Sequence, residues 1–401
     1  MTRRRELLFL TQRIPYPPIK GEKIRPLQIL RHLAKRYVVH LGCLIDDPDD
    51  WRHVELIQAL CGETHFAKLD PRVAKLACLR GLLTGDPLSK PYFHNSGLVA
   101  WVDRLLAERR PERAVICSSA MAQYLLGKPH LPARTVMDFA DVDADKWRQY
   151  ALTQSGPMRW IYGRESRTLL AYDRRVGAAV DASTFVSPAE AELFRALAPE
   201  LAARTHAINS GVDAEYFSPV HRFASPYQGE AVVFTGTMSY WPNVDAVTWF
   251  AHAILPLIRR SRRDLQFYIV GSSPSPEVAR LAAMQGIVVT GRVADVRPYV
   301  ANAAAVVVPL RIANGIQNKV IEAMAMAKPV IATPRALAGV ELDREREIVV
   351  GDGAAGFAET VLATLTRDDL AALGARARAR VLASYVWETN LAGFDSLLEP
   401  V

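Results

Sequence analysis

The sequence predicts an α/β protein built from two domains, each around a parallel sheet. Three observations predict it. Continuously apolar runs of strand length recur along the 401 residues. Stretches with helical spacing separate them. The rhythm breaks once, around 207–230, and then starts again. A chain of this length exceeds one ordinary core, and two domains of roughly 150–200 residues each are the default expectation.

LLFLT (7–11) reads as the first buried strand. A loop stiffened by Pro15, Pro17 and Pro18 ends at Gly21. IRPLQILRHLAKR then places apolar residues at 24, 27, 30 and 33, a helical period. YVVHLGCLI (37–45) is a second strand. Strand, glycine loop, helix, strand opens a parallel α/β sheet. AVICSS (114–119), TVMDF (135–139) and ASTFVS (182–187) continue it. AINSGVDAEYFSP (207–219) breaks the rhythm with turn residues and aromatics, and HRFASPYQGE (221–230) reads as a polar linker. The pattern restarts with AVVFTG (231–236), a helix over DAVTWFAHAILPLI, and LQFYIVG (265–271). IVVTG (287–291), AAVVVPL (304–310) and KPVIAT (328–333) are three further strands. Their unbroken apolarity suits parallel strands covered on both faces. The predicted division is a first domain at 1–206, a connecting segment at 207–230, a second domain at 231–384, and a final helix at 385–401 that packs back on either domain. Two Rossmann-like halves of this kind place a cleft between the carboxyl ends of two sheets, where ligands bind.

Composition is globular, with 50% apolar and 23% charged residues. The net charge of +7 favours an anionic partner without choosing among nucleotide, lipid surface and nucleic acid, and fits a GC-rich coding bias equally well. The only nucleic-acid signal is the charge itself, so none is expected as partner. Cys43, Cys61, Cys78 and Cys117 form no CxxC pair, which speaks against structural zinc and fits a reducing compartment. No segment approaches the ~20 apolar residues of a spanning helix. A cytoplasmic protein is expected, at most attached to the inner face of the membrane. VAKLACLRGLL (73–83), near Lys68 and Arg72, reads either as a helix lying on anionic lipid or as one packed on its own sheet.

Three loops after strands carry candidate chemistry. The first holds Lys20, Gly21, Glu22 and Lys23, with Arg25 in the following helix. It suits a phosphate or a sugar, and equally an ordinary βα loop. The second holds Asp141, Asp143 and Asp145, open to a metal, a catalytic or substrate-orienting carboxylate, or helix capping. The third, FTGTMSYWPNVDA (234–246), offers Gly236 for close approach, with Asn243 and Asp245 as helix N-cap candidates. Neither GxGxxG nor GxxxxGK[ST] occurs in these turns, which weakens dinucleotide and P-loop readings.

NGIQNKVIEAMAMAKPVIATP (314–334) is the most informative stretch. Its oily half reads as a buried helix running into a strand. Its polar half opens that helix near Ile316 or Gln317, with Lys319 and Glu322 on one face. Backbone amides around Gly315 to Asn318 would suit a diphosphate, with Lys319 as a point charge. Glu322 could accept hydrogen bonds from vicinal hydroxyls. A surface Lys–Glu pair is the plainer alternative.

These residues resemble the donor motif of the family-4 (GT-B) retaining glycosyltransferases, which ends in EAMA-x-G-x-PV-x-A. INSGVDAEYFSP, FYIVGSSP and VTGRVADVRPYVANAAAVVVPL resemble further family motifs in the same order. PYPPIKGEKIRPLQILRHLAKRYVVHLG, DFADVDADKWRQYA and GTMSYWPNVDAV are similar to the subgroup associated with exosortase/PEP-CTERM exopolysaccharide clusters. The resemblance implies a GT-B fold, two Rossmann-like domains facing across a cleft. It implies a sugar transferred from a nucleotide-sugar donor with retained configuration, without metal or other cofactor, to a glycan or lipid-linked acceptor in exopolysaccharide or other surface-glycan synthesis. It places Glu322 on the donor ribose, Gly315, Ile316 and Gln317 on the donor sugar or phosphates, Gly21 beside the diphosphate, and Arg292 near the base. Lys319 is expected against the diphosphate, helped by Lys20 or Lys23, with Gly236 close by and Asp141 or Asp143 as proton acceptor. Two departures stand out. Asn314 occupies the place of a usual glutamate that contacts the donor sugar, and TGTMSYWPN lacks the usual Arg and Lys. A donor-hydrolysing or epimerising relative, or a non-catalytic nucleotide-sugar binder, is the alternative those departures suggest.

Overall fold

The computed structural model describes residues 4–18, 21–313 and 315–399, the side chains of Leu79, Arg80 and Leu83 apart. Two compact units emerge. One comprises residues 1–209 with 391–401, the other residues 210–390.

The first unit is a seven-stranded parallel sheet. Its strands are β1 (Glu6–Thr11), β2 (Val38–Ile45), β3 (Thr64–Lys68), β4 (Arg113–Cys117), β5 (Arg134–Ala140), β6 (Ala182–Phe185) and β7 (Thr205–Ala207), in the order β3-β2-β1-β4-β5-β6-β7. Leu7, Leu8, Phe9 and Leu10 of the central β1 are completely buried, so residues on both faces of the strand are apolar. This is why a parallel strand reads as a run rather than an alternation.

The second unit repeats the plan with β8 (Ala231–Thr235), β9 (Gln266–Val270), β10 (Ile287–Gly291), β11 (Ala305–Val308), β12 (Val330–Ala332) and β13 (Val349–Val350), ordered β10-β9-β8-β11-β12-β13. All its pairings are parallel.

Three strands escape the sequence reading: β3, β7 and β13. Each is a sheet edge. An edge strand is short and covered on fewer sides, so it needs no apolar run; THFAK, THA and VV provide none long enough.

The connecting segment also differs from expectation. Residues 210–230 belong to the second unit rather than forming a free linker. Val212 N–H donates to the Tyr385 carbonyl at 2.8 Å, and Val212 pairs with Val386 as a parallel bridge. Phe217, Phe223 and Tyr227 pack against the core of that unit, and the Tyr227 hydroxyl donates to the Tyr299 carbonyl at 2.6 Å. Phe217, Phe223 and Tyr227, part of what looked like a break in the pattern, are therefore half-buried anchors.

The final helix, Trp387–Leu398, starts in the second unit and ends in the first. Phe394 and Leu398 are fully buried. Glu399 beyond it accepts from Arg113 at 2.9 Å and from the Tyr37 hydroxyl at 3.0 Å. Expected separate from the second domain from residue 385, the tail is held there through Asn390.

Candidate functional site

In the second unit, three strands end on glycines: Gly236 after β8, Gly271 after β9 and Gly291 closing β10. Gly236 N–H donates to the Val270 carbonyl at 3.0 Å, and Gly271 N–H to the Gly291 carbonyl at 3.2 Å. A Cβ on Gly271 would sit 1.7 Å from the Gly236 oxygen. Only glycine permits that approach, so the carboxyl edge of the sheet is a bare backbone crest.

Lys319 lies against this crest. A Cβ on Gly236 would come 3.4 Å from the Lys319 Cε and 2.8 Å from the Asn243 Nδ2. The Lys319 ammonium donates to Asn243 Oδ1 at 2.9 Å and stands 4.6 Å above the ring of the buried Phe234. Asn243 in turn donates to the Thr237 carbonyl at 3.0 Å. Asn243 is thus no N-cap, as the sequence suggested. It sits inside the helix Trp241–Trp249, whose N-cap is Tyr240, and its amide fixes the lysine. The signal was available in outline, since it follows a strand-end glycine by one loop, but its partner lies 76 residues away.

Lys319 begins the second residue of the helix Asn318–Ala325, which opens at Gln317 without a side-chain cap. Glu322 lies one turn on. Both side chains keep part of their surface open, yet dense protein surrounds them. Burial lowers the Lys319 ammonium to about 8, with Glu322 pulling the other way. Burial raises the Glu322 carboxyl to about 7, opposed by Lys319. Among the described residues, no side chain hydrogen-bonds the Glu322 carboxylate. Two charges shifted by burial in a partly open place mark a candidate functional site.

Gly315 is buried with φ +60°, and a Cβ on Gly339 would lie 2.3 Å from its oxygen. Ile316 and Gln317 are half-buried beside it. The loop leading to them is anchored by Arg311, which donates to Asp245 through Nε and Nη2 and stands 5.3 Å from the Trp249 ring centre. Asp245 is therefore a loop anchor rather than a cap. Arg292 is exposed just past Gly291. Asn314 lies outside the described residues, as does Lys20.

Within the electrostatic reach of Glu322 lies a cluster that the sequence reading did not single out. Arg297 forms an ion pair with Asp295 at 2.7 Å and lies 3.7 Å over the ring of Tyr216. The Tyr216 hydroxyl is pushed up mainly by burial, then by Asp295, and it also feels the Glu322 charge. The 210–230 segment thus contributes an aromatic to the surroundings of Glu322.

The first unit sorts its candidates differently. Gly21 opens the helix Gly21–Ala34 and is exposed. Lys23 was expected to face a diphosphate. Its ammonium is instead buried in an ion pair with Asp50 at 2.5 Å, which occupies its charge. Arg25 is likewise committed, gripping the buried Asp138 with bonds of 2.8, 2.9 and 3.2 Å. Asp145 binds Arg148 and Gln149 within its own helix, both at 2.7 Å. Asp143 is exposed, 3.6 Å from Lys146. The carboxylates of Asp143 and Asp145 in the DxDxD run therefore have different partners. Among the described residues, no group of three or more acidic, His or Cys side chains is placed to hold a metal ion.

Asp141 stands apart. Its Oδ1 is buried without a hydrogen-bond partner. Burial, then Glu190 and Asp143, raise its carboxyl to about 7. A carboxyl raised in the fold contributes fully to stability below the unfolded value and loses that contribution as pH rises through about 7. Asp141→Asn is therefore expected to raise the melting temperature at pH 8 and to leave it near wild type at pH 4. Equal shifts at both pH values, measured by differential scanning calorimetry, would contradict the burial seen here.

Residues 229–367 match the model of the family described as Glycosyl transferases group 1. A search of curated proteins returned no match. Among solved structures, sucrose-phosphate synthase from Thermosynechococcus elongatus superposes with a TM-score of 0.74, at 16% identity over 98% of each chain. HepE of Anabaena, in complex with UDP-glucose, gives 0.70 at 15% identity, over 99% of this chain and all of that one. WaaG, a glycosyltransferase involved in lipopolysaccharide biosynthesis, gives 0.67 at 14% identity, over 98% of this chain and all of that one. At such identities the likeness is one of fold: the two-domain α/β architecture is that of the GT-B glycosyltransferases, and the match to the group 1 family covers residues 229–367.

Proposed function

We propose that this chain is a retaining, metal-independent glycosyltransferase that moves a sugar from a nucleotide-sugar donor to a glycan or lipid-linked acceptor in exopolysaccharide or other surface-glycan synthesis. The observation that carries the reading is the Lys319–Glu322 pair, half-buried and shifted, set against the Gly236 crest in the group 1 domain. The resemblance of the N-terminal motifs to the exosortase/PEP-CTERM subgroup supports the pathway.

In this reading Glu322 accepts from the vicinal hydroxyls of the donor ribose. Arg292 lies toward the base. Gly315, Ile316 and Gln317 surround the sugar and phosphates, with Asn314 in that loop. As the sugar leaves, negative charge grows on the nucleoside diphosphate. Lys319 stabilises that charge more in the transition state than in the ground state, which is what accelerates the step. The missing Arg and Lys of TGTMSYWPN leave Lys319 with the larger share, and Asn243 holds it for the purpose. The acceptor hydroxyl attacks from the face the leaving group departs, and its proton passes to the leaving phosphate or to a carboxylate.

HepE was solved with UDP-glucose, so a panel of nucleotide sugars headed by UDP-glucose is the first test. A true donor present at about a hundred times its Kd should stabilise the fold by about 2.7 kcal/mol, visible as a rise in melting temperature. A flat response to every member, in a folded sample, would count against donor binding. Donor consumed without any acceptor would instead favour a hydrolase or epimerase.

A further inference from the structure

We propose that the N-terminal unit docks on an anionic lipid surface through a two-part patch made by the helix Pro71–Thr84 and the helix tip around 152–160. The inference goes beyond glycosyl transfer and does not depend on it. The sequence pointed to the first part alone; the second part comes from the fold.

Fourteen large apolar side chains are exposed among the described residues, and six of them fall in these two stretches. They are Val73 (63%), Leu76 (68%), Leu82 (38%), Leu152 (67%), Met158 (40%) and Trp160 (61%). Single exposed apolar residues are ordinary; this concentration is not. Residues 152–160 are exposed without interruption and join the helices Asp143–Thr153 and Gly156–Ala179. Beneath that tip, Tyr162 packs against Trp147 at 5.3 Å and Tyr150 at 6.1 Å, between ring centres. The tip is thus held on an aromatic base, with Leu152, Met158 and Trp160 turned to solvent.

The two stretches adjoin. Arg164 donates to the Gly81 carbonyl at 2.5 Å and to the Asp86 carbonyl at 3.2 Å, so it clasps the end of the first helix. Trp160 precedes Arg164 by one turn of the same helix.

Charge selects the occupant. No acidic residue occurs in 71–84 or in 146–164. Arg72, Lys75, Arg148 and Arg159 are exposed there; Arg148 pairs with Asp145 yet leaves 59% of its side chain open. Apolar side chains with exposed cations beside them and an indole among them match the boundary between acyl chains and anionic headgroups; the exposed carboxylates, Asp70 and Asp143, stand at the starts of the two helices.

The test uses the full chain. Co-sedimentation with vesicles of phosphatidylcholine plus about 30% phosphatidylglycerol should exceed that with phosphatidylcholine alone by about tenfold or more. The triple variant Leu152→Ser, Met158→Ser, Trp160→Ser should lose about tenfold in binding, as should the pair Arg72→Glu, Lys75→Glu. All five positions are exposed, so circular dichroism and melting temperature should stay at wild type. Lipids carrying a quencher should dim wild-type tryptophan emission more than that of Trp160→Phe. Binding indifferent to phosphatidylglycerol, or variants that bind as wild type, would overturn the proposal. So would self-association of the wild type that the triple variant abolishes without any vesicle binding. A failed donor panel would leave these outcomes untouched.

Discussion

Replacing Lys319 by methionine is expected to slow sugar transfer by about 10²–10³-fold, the usual effect of removing one preorganised charge stabiliser. The same change is expected to raise the melting temperature at pH 7. Burial lowers the folded-state ammonium to about 8 from an ordinary 10.5. Below pH 8 the group is charged in both states, and the fold carries the full penalty of holding that charge away from water. Between about 8 and 10.5 the folded form gives up its proton first and the penalty fades. The gain from methionine should therefore be largest at neutral pH and vanish above about pH 10.5. Loss of activity with gain of stability separates a functional charge from a structural one. A variant that transfers sugar at the wild-type rate, or that melts earlier at pH 7, would refute the role assigned to Lys319. Glu322→Gln adds the carboxylate counterpart: its stability gain belongs to pH 8 and disappears at pH 4, because burial raises that carboxyl to about 7.

The largest loss of stability is expected from Asp138→Ala. Asp138 is 2% exposed and accepts from Arg25 and, at 2.7 Å, from the Thr184 hydroxyl. Removing it leaves the buried Arg25 guanidinium without its counter-charge, at a cost of about 3–5 kcal/mol. Urea unfolding of this variant should show that loss in the first unit. Replacing both partners, as Arg25→Met with Asp138→Leu, should recover most of it, since a buried ion pair and an apolar pair of similar volume are often close in energy. A single-variant loss under about 1 kcal/mol would mean that water reaches Arg25.

The interior strands were legible because a parallel sheet covered on both faces demands unbroken apolar runs, as in LLFLT and AVVV. The edge strands β3, β7 and β13 were not, because an edge makes no such demand. The polar cluster on the helix Asn318–Ala325 was legible for a related reason. Lys319 and Glu322 are close in sequence, polar, and embedded in a helix that is otherwise oily. Partners distant in sequence stayed hidden. Lys23 looked like a ligand group until Asp50, 27 residues on, was found to hold it. Arg25 and Asp138 are 113 residues apart. Asn243 and Tyr216 looked like a cap and a linker aromatic.

By itself, the sequence determined the α/β class, the order of the buried strands, and the place on the chain where a polar cluster interrupts a packed helix. Periodicity and local composition fix these, because each depends on neighbours along the chain. Which charges remain available for chemistry was decided only by the tertiary structure. Lys23, Arg25 and Asp145 were absorbed into ion pairs, while Lys319, Glu322 and Asp141 were left with shifted charges. Burial and a counter-charge set that outcome, and for Lys23 and Arg25 the counter-charge comes from a distant part of the chain.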